Sequence, residues 1–432
     1  MGRTLFTNAR LLDPATGLDA TGGLAVSDGR IAAIYRDEDP TPQSGDQVFD
    51  LRGQWLVPGL VDLRCALREP GFEHKEDIHS GLRAAAAGGF TAVCATPDTS
   101  PVTDRAAVVV QVLDRARTAN GARLLPVAAA TKGLDDERMA PIGELVDMGC
   151  VAVSQGEEPI GSARLMRRIL EYASGFDVPV FSSPIEPSLK GLCDEGPWST
   201  RLGLSGSPAA AEVIAASRDI TLAELTGGRL HLSRVSTGAT LELVRAAKAR
   251  GVPVTCDVTA HHLHLTTEAL SGFDPNTRVW PPLRSAEDRD ALRAGLADGT
   301  VDAVCTDHQP HHAEDKAREF SVALSGVSAL ETTLSLVMDL VSQGAVDALR
   351  AIDLLSSGPS RVLGRDGFEF TEGAVADLTV IDPEGAWCVG RDTLKSRGTN
   401  TPFLGRNLKG QATMTMVDGV MVHQLTDGSP AS

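Results

Sequence analysis

The sequence is poor in aromatic residues and in long apolar segments, and it has no excess of positive charge. Aromatic residues make up 4% of its 432 residues, and no apolar run reaches the roughly 18 residues that a membrane-spanning helix needs. Its net charge of −17 at pH 7 argues against nucleic acid and against an anionic membrane as partners. These features predict a soluble globular protein without a nucleic-acid or membrane partner.

Disulfide, zinc-cluster and export signals are missing as well. The seven cysteines are scattered, odd in number and without CxxC spacing, which predicts reduced and mostly buried thiols. The N-terminal sequence MGRTLFTNARLLDP lacks the apolar region of a signal peptide. We therefore expect a cytoplasmic protein.

The middle of the chain alternates short apolar runs with helical patterns. The runs that we interpret as strands are 60–65, 91–96, 123–129, 150–154, 178–182, 229–235, 252–259 and 302–307. Segments such as 104–120 and 237–251 lie between them, with apolar residues at helical spacing. Eight strand–helix units with strands apolar on both faces predict an α/β fold with a (β/α)8 TIM barrel, and a doubly wound sheet is the alternative.

The two ends of the chain differ from its middle and carry short strand patterns separated by turns. Neither end alone has enough strands to bury an apolar face. We therefore predict a composite β-sandwich domain from residues 1–56 and 368–432, and a barrel domain from residues 57–367. Two unrelated β appendages are the alternative.

A barrel keeps its chemistry at the C-terminal ends of its strands. Here the first predicted strand ends with Arg64 and Ala66, the sixth with Arg234 and the eighth with Asp307. A hydrolytic zinc centre needs imidazoles or carboxylates that converge on the ion. An arginine cannot lose its proton in a protein and cannot bind a metal, so these strand ends do not predict a zinc site.

Several motifs follow one another along the chain: VPGLVDLRCALREPGFEHKEDI, AAAAGGFTAVCATPDTSPV, HLSRVSTGATLELVRAAKARGVPVTCDVTAHHLHLT, PPLR, and TDHQPHHAEDKAREF followed by GVSALET. They closely resemble the motifs of dihydroorotase, the zinc-dependent cyclic amidohydrolase of pyrimidine biosynthesis. The resemblance runs in order over essentially the whole chain. It implies an amidohydrolase-type barrel with a small β-sandwich domain.

The resemblance also assigns site positions, most of them altered in this chain. Six positions correspond to the family's metal ligands: Arg64, Ala66, Gln155, Ser183, Arg234 and Asp307. Only Asp307 keeps a residue that binds metals, and it is also the family's catalytic base position. Three positions correspond to substrate contacts: Arg68, which is retained, and Asp98 and Trp280, which replace asparagines. Because five of six ligands are lost, we expect no metal cofactor and no catalytic residue.

These substitutions led us to expect a catalytically inactive dihydroorotase-like protein. By resemblance, such a pseudoenzyme is a non-catalytic structural subunit for the aspartate transcarbamoylase catalytic subunit, in a homo-oligomer or a mixed oligomer. One alternative is an active metal-dependent dihydroorotase or other cyclic amidohydrolase. A second alternative is a small-molecule sensor that keeps a pocket around Arg68.

Two further expectations concern the altered centre. A buried carboxylate without a partner is costly, so we expect Arg64, Arg234 or both to contact Asp307. The motif AHHLHLT, if it is a strand, places His262 and His264 on one side, where they could hold a relocated metal ion. We regard that relocated site as the less favoured hypothesis, since no further ligand is obviously placed to complete it.

Overall fold

The computed structural model describes residues 2–365 and 368–425. Its strands are β1 (Thr4–Asp13), β2 (Leu18–Ser27), β3 (Arg30–Arg36), β4 (Gln47–Asp50), β5 (Trp55–Pro58), β6 (Leu60–Cys65), β7 (Phe90–Ala95), β8 (Arg123–Ala129), β9 (Ala152–Ser154), β10 (Val180–Ser182), β11 (Cys193–Asp194), β12 (Gly206–Ser207), β13 (Leu230–Leu232), β14 (Val254–Thr259), β15 (Ala303–Cys305), β16 (Leu378–Cys388), β17 (Asn407–Val417) and β18 (Val420–Gln424).

The α-helices lie mainly between the strands of the middle segment. They are α1 (Ile78–Ala87), α2 (Ala106–Arg117), α3 (Ile142–Asp147), α4 (Ala163–Ser174), α5 (Pro197–Leu202), α6 (Ala209–Thr226), α7 (Gly238–Ala249), α8 (Ala286–Ala297), α9 (Ala313–Lys316), α10 (Thr333–Ser342), α11 (Ala348–Leu355) and α12 (Ser357–Leu363). None of the described helices is both long enough and apolar enough to cross a bilayer.

Eight parallel strands form the barrel, in the order β6, β7, β8, β9, β10, β13, β14 and β15. A parallel bridge between Cys65 and His308 joins the last strand end to the first. Asp62 strengthens this closure, because its carboxylate accepts hydrogen bonds from the backbone N–H of Thr306 (2.8 Å) and from its hydroxyl (2.7 Å). The predicted α/β barrel is confirmed, and all eight predicted strands are present.

The barrel helices begin where the sequence supplies capping side chains. Asp77 caps α1 and forms a reciprocal capping box with Ser80, and Thr237 caps α7. These side chains satisfy backbone N–H groups that the first helical turn leaves free. The helices then bury alanine- and leucine-rich faces against the strands, whereas the barrel interior is filled by a separate cluster that includes Val61, Leu63 and Phe181.

Strands from both ends of the chain pair in one eight-stranded sheet. The order is β18, β17, β16, β5, β1, β2 and β3, and β4 also pairs with β1. The junction between the two ends is the antiparallel pairing of β5 with β16, and apolar side chains from both ends share one core. Strand β5 continues to Pro58, two residues beyond the domain boundary predicted at 56. Residues 426–432 of the predicted composite domain lie outside the described residues.

Arg123 connects this terminal sheet to the barrel. It lies at the start of β8, and its guanidinium bonds Asp377 (2.6 Å) and Asp418 (2.7 Å). Asp377 precedes β16 and Asp418 follows β17, so one arginine links the barrel to two of the three C-terminal strands.

Candidate functional site

The candidate site lies at the C-terminal ends of the barrel strands. Four of the six positions assigned as metal ligands come together there: Arg64, Ser183, Arg234 and Asp307 are buried and joined by hydrogen bonds. The other two do not join them. Gln155 accepts a hydrogen bond from the hydroxyl of Thr131 at 3.0 Å, and Ala66 has no polar side-chain atom.

Arg64 and Arg234 both contact the retained carboxylate of Asp307. Arg64 Nε donates to Asp307 Oδ1 at 2.8 Å, and Arg234 Nη1 lies 3.5 Å from the same oxygen. The expectation that at least one arginine contacts Asp307 is therefore confirmed. Burial raises the pKa of Asp307, and the two guanidiniums oppose that rise.

Glu157 is a member of this site that our sequence reasoning missed. Its Oε1 accepts from Arg64 Nη2, and its Oε2 accepts from Arg234 Nη1 at 3.0 Å. Burial alone would raise the pKa of Glu157, but the guanidiniums of Arg234 and Arg64 outweigh it, so the pKa lies well below its ordinary value. Glu157 is thus an ionised bridge between two arginines.

Gln309 completes the polar contacts of the two carboxylates. Its side-chain amide donates to Glu157 Oε1 at 2.7 Å and to Asp307 Oδ1 at 3.2 Å. It was missed because an amide four residues after the eighth strand carries no distinctive motif. Its sequence position, directly after Asp307-His308, is the only signal that could have drawn attention to it.

The substrate positions inferred from the resemblance lie beside the charged centre. Arg68 donates from Nε to the carbonyl of Pro310 at 3.3 Å, and its Nη1 lies 3.8 Å from Asp98 Oδ2. The other oxygen of Asp98 is buried without a hydrogen-bond partner. Trp280 is buried, its carbonyl accepts from Arg234 at 2.9 Å, and the ammonium of Lys190 lies 4.8 Å from its ring centre.

The relocated metal site considered at His262 and His264 does not form, because Ala260–His264 is a turn and not a strand. The ring of His262 contacts Thr259 and the carbonyls of Pro281 and Pro282, whereas His264 contacts the carbonyl of Leu336. Burial lowers the pKa of His262 to about 4. The two imidazoles have separate structural partners.

The donor set at the six positions does not fit zinc. It comprises one carboxylate, one hydroxyl, one amide, one methyl group and two guanidiniums, and zinc in proteins takes imidazole, thiolate and carboxylate ligands. Among residues 2–365 and 368–425, the one group of three or more potential ligands close enough to share an ion is Glu69, Asp77 and His79. None of those three belongs to the six positions.

Comparisons with known proteins agree over the whole chain. Residues 53–240 match the Dihydro-orotase-like family and residues 209–422 match the Amidohydrolase family. A dihydroorotase of Syntrophotalea carbinolica is 45% identical over 98% of this chain and 100% of its own. The chain belongs to the dihydroorotase family.

Other relatives support the same assignment. A dihydroorotase of Anaeromyxobacter dehalogenans is 47% identical over 98% of this chain and 99% of its own. The solved L-hydantoinase (dihydropyrimidinase) of Arthrobacter aurescens superposes with a TM-score of 0.88 over 98% of this chain and 96% of its own, at 22% identity. That likeness confirms the amidohydrolase fold.

These comparisons correct our principal functional interpretation. We expected a catalytically inactive homologue that serves as a structural subunit for aspartate transcarbamoylase. Full-length relatives at 45–47% identity are named dihydroorotase, which favours the alternative of an active dihydroorotase. We inferred inactivity from the loss of five metal-ligand positions, and we took the structural role and its partner only from the resemblance. Neither the altered positions nor a shared fold establishes such a role.

Proposed function

We propose that this protein acts on dihydroorotate, hydrolysing the cyclic amide of the ring or forming it in the reverse direction. The observation that carries this proposal is the 45% identity to a protein named dihydroorotase over the full length of both chains. The aligned region covers 98% of this chain, so it extends over the segments that form the barrel mouth as well as over the terminal strands. The proposed role is therefore a step of pyrimidine biosynthesis.

Arg68 is the proposed anchor for the carboxylate of the substrate. Its side chain is 11% exposed at the mouth, and a guanidinium can bind a carboxylate through two parallel hydrogen bonds. Asp98, 3.8 Å away, competes for that guanidinium and repels an anionic ligand. We therefore expect Arg68 to bind dihydroorotate more weakly than it would beside an asparagine.

Members of the family generally use zinc, which supplies an activated hydroxide and polarises the amide when it is bound. The side chains at the six assigned positions of this chain do not fit that ion. Asp307 and Glu157 are each held by arginines, and neither is a free base in this arrangement. The identity to proteins named dihydroorotase predicts turnover, whereas the side chains at the six metal-ligand positions predict no zinc-dependent turnover.

An assay of ring opening and ring closure with purified, tag-free protein resolves this conflict. We expect turnover well above that of heat-denatured protein. Arg68→Met should raise KM more than it lowers kcat, because Arg68 binds the carboxylate of the substrate and not its reacting amide. Parallel reactions with added zinc and with a chelator measure the contribution of metal. Absence of turnover in all these conditions, with calorimetric binding of dihydroorotate retained, would overturn the proposal in favour of a ligand-binding protein.

The transcarbamoylase partner and the oligomeric state stay predictions from the resemblance. Size-exclusion chromatography with light scattering, alone and with the catalytic subunit of aspartate transcarbamoylase, tests both of them. The cytoplasmic location also stays a prediction from the sequence.

A further inference from the structure

Two arginines and two carboxylates occupy the centre of the barrel mouth, and we refer to Arg64, Glu157, Arg234 and Asp307 as the ion cluster. Arg64 pairs with Asp307 and Glu157, and Arg234 pairs with the same two carboxylates. The formal charges cancel within the cluster. Each arginine therefore meets two acids and each acid meets two arginines.

The ion cluster spans the barrel. Arg64 belongs to β6, Glu157 follows β9, Arg234 follows β13 and Asp307 follows β15. In a metal-dependent barrel, ligands on several strands are drawn together by the ion that they share. Here direct salt bridges join strand ends from opposite parts of the barrel wall.

The guanidiniums are held in place by neutral partners as well as by the acids. Arg64 Nη2 donates to the carbonyl of Gly156 at 3.2 Å. Arg234 donates to the carbonyl of Trp280 at 2.9 Å and to the hydroxyl of Ser183 at 2.7 Å. Their side chains are 4% and 1% exposed, respectively, so neither can turn out to solvent without breaking several hydrogen bonds.

We propose that the ion cluster replaces the divalent metal of the family, compensating Asp307 with guanidinium charge and excluding zinc from the barrel mouth. Two fixed cations repel a third positive charge at short range. Three of the four carboxylate oxygens in the cluster already accept hydrogen bonds: Asp307 Oδ1 from Arg64 and Gln309, and both oxygens of Glu157 from the two arginines. Zinc would have to displace these bonds, and the six assigned positions offer it no imidazole in return.

Metal content tests this proposal independently of turnover. Tag-free protein is incubated with excess zinc, dialysed and analysed by mass spectrometry, and zinc affinity is measured by competition with a chromogenic chelator. We expect below about 0.1 zinc per chain and the same melting temperature with and without EDTA, because a structural zinc would stabilise the fold when bound. Nearly one zinc per chain that is lost in Asp307→Asn would overturn the proposal.

A second zinc-binding place must be distinguished from the mouth. Glu69, Asp77 and His79 lie close enough together to share an ion, and His79→Ala is the matched control. Zinc that disappears in His79→Ala and persists in Asp307→Asn lies outside the mouth and supports the proposal. Zinc that disappears in Asp307→Asn and persists in His79→Ala contradicts it.

A double-mutant cycle tests the compensation directly. Arg234→Met and Glu157→Gln each leave the ion cluster with one unbalanced buried charge, so each single variant should melt about 3–6 °C below the wild type. The double variant removes one charge of each sign, so its melting temperature should fall by clearly less than the sum of the two single decreases. Additive losses would show that the two side chains are not coupled and would overturn the compensation. The zinc measurements on unsubstituted protein stand even if a variant fails to fold.

Discussion

Arg64 Nε lies 2.8 Å from Asp307 Oδ1, although 243 residues separate the two in the chain. Arg64 is part of the first barrel strand and Asp307 follows the last, so this salt bridge lies across the seam at which the barrel closes. Both side chains are almost completely buried, with 4% and 2% of their surfaces exposed. Removal of either partner leaves a charge in a site that water cannot reach.

Replacement of Arg64 by methionine should therefore be strongly destabilising. Methionine keeps much of the side-chain volume and removes the charge, leaving Asp307 and Glu157 with one arginine between them. We expect the free energy of unfolding to fall by about 3–5 kcal/mol, measured by urea denaturation. The matched control is Arg250→Met, because Arg250 and Glu224 form a salt bridge that is half exposed, and its loss should cost about 1 kcal/mol or less. Equal losses in the two variants would contradict the central role of Arg64.

The ionised state of Glu157 predicts how stability responds to acid. Two arginines lower the pKa of Glu157 in the folded protein, so the unfolded chain binds its proton at a higher pH than the folded protein. The resulting stabilisation is present above the pKa of glutamate in the unfolded chain, about 4.3, and it is lost as the pH falls below that value. Glu157→Gln should therefore flatten the decline in unfolding free energy between about pH 5 and pH 3.

The control for this experiment is Glu319→Gln, at an exposed position that follows α9. Its acid profile should follow that of the wild type. A Glu157→Gln profile as steep as the wild-type profile would mean that Glu157 is not held ionised by the arginines.

The barrel was predictable from the sequence because its determinants are local. The run 60–65 was predicted as a strand and is one, and the helical pattern at 237–251 contains the helix Gly238–Ala249. A barrel strand that is buried on both faces has an uninterrupted apolar run in the sequence. Such a run can be recognised without knowledge of the neighbouring strands. Pairing of β5 with β16 was expected only in outline, because its register depends on residues more than 300 positions apart.

The site was less predictable because its geometry depends on one turn. The resemblance assigns the fourth-strand ligand position to Gln155, but Gly156 has a φ of 71°, a value that glycine adopts easily. The chain turns there, and Glu157, not Gln155, contacts the two arginines. The shared face considered for His262 and His264 fails for a related reason: it required an extended chain at residues where the chain forms a turn.

Arg123 should hold the terminal sheet against the barrel. Its guanidinium bonds Asp377 at 2.6 Å and Asp418 at 2.7 Å, and its side chain is about one-third exposed, so solvent screens part of the interaction. We expect Arg123→Met to lower the unfolding free energy by about 1–2 kcal/mol. Hydrogen exchange measured by mass spectrometry should accelerate in β16 and β17 more than in the barrel strands. Uniform acceleration across the chain would indicate a general loss of stability instead of a loosened sheet.

Asp98→Asn should strengthen the binding of dihydroorotate. The substitution removes a negative charge 3.8 Å from the Arg68 guanidinium, which frees that group for the substrate carboxylate and removes repulsion of the anionic ligand. We expect the binding free energy of dihydroorotate to become about 1 kcal/mol more favourable, which corresponds to a roughly 5-fold lower Kd. Isothermal titration calorimetry measures this change. Asp290→Asn, at an exposed position of α8 that contacts Arg289, removes the same formal charge from another part of the surface and should leave the Kd unchanged. If both variants tighten binding equally, the effect is one of net charge, and the assignment of Arg68 as the carboxylate anchor loses its support.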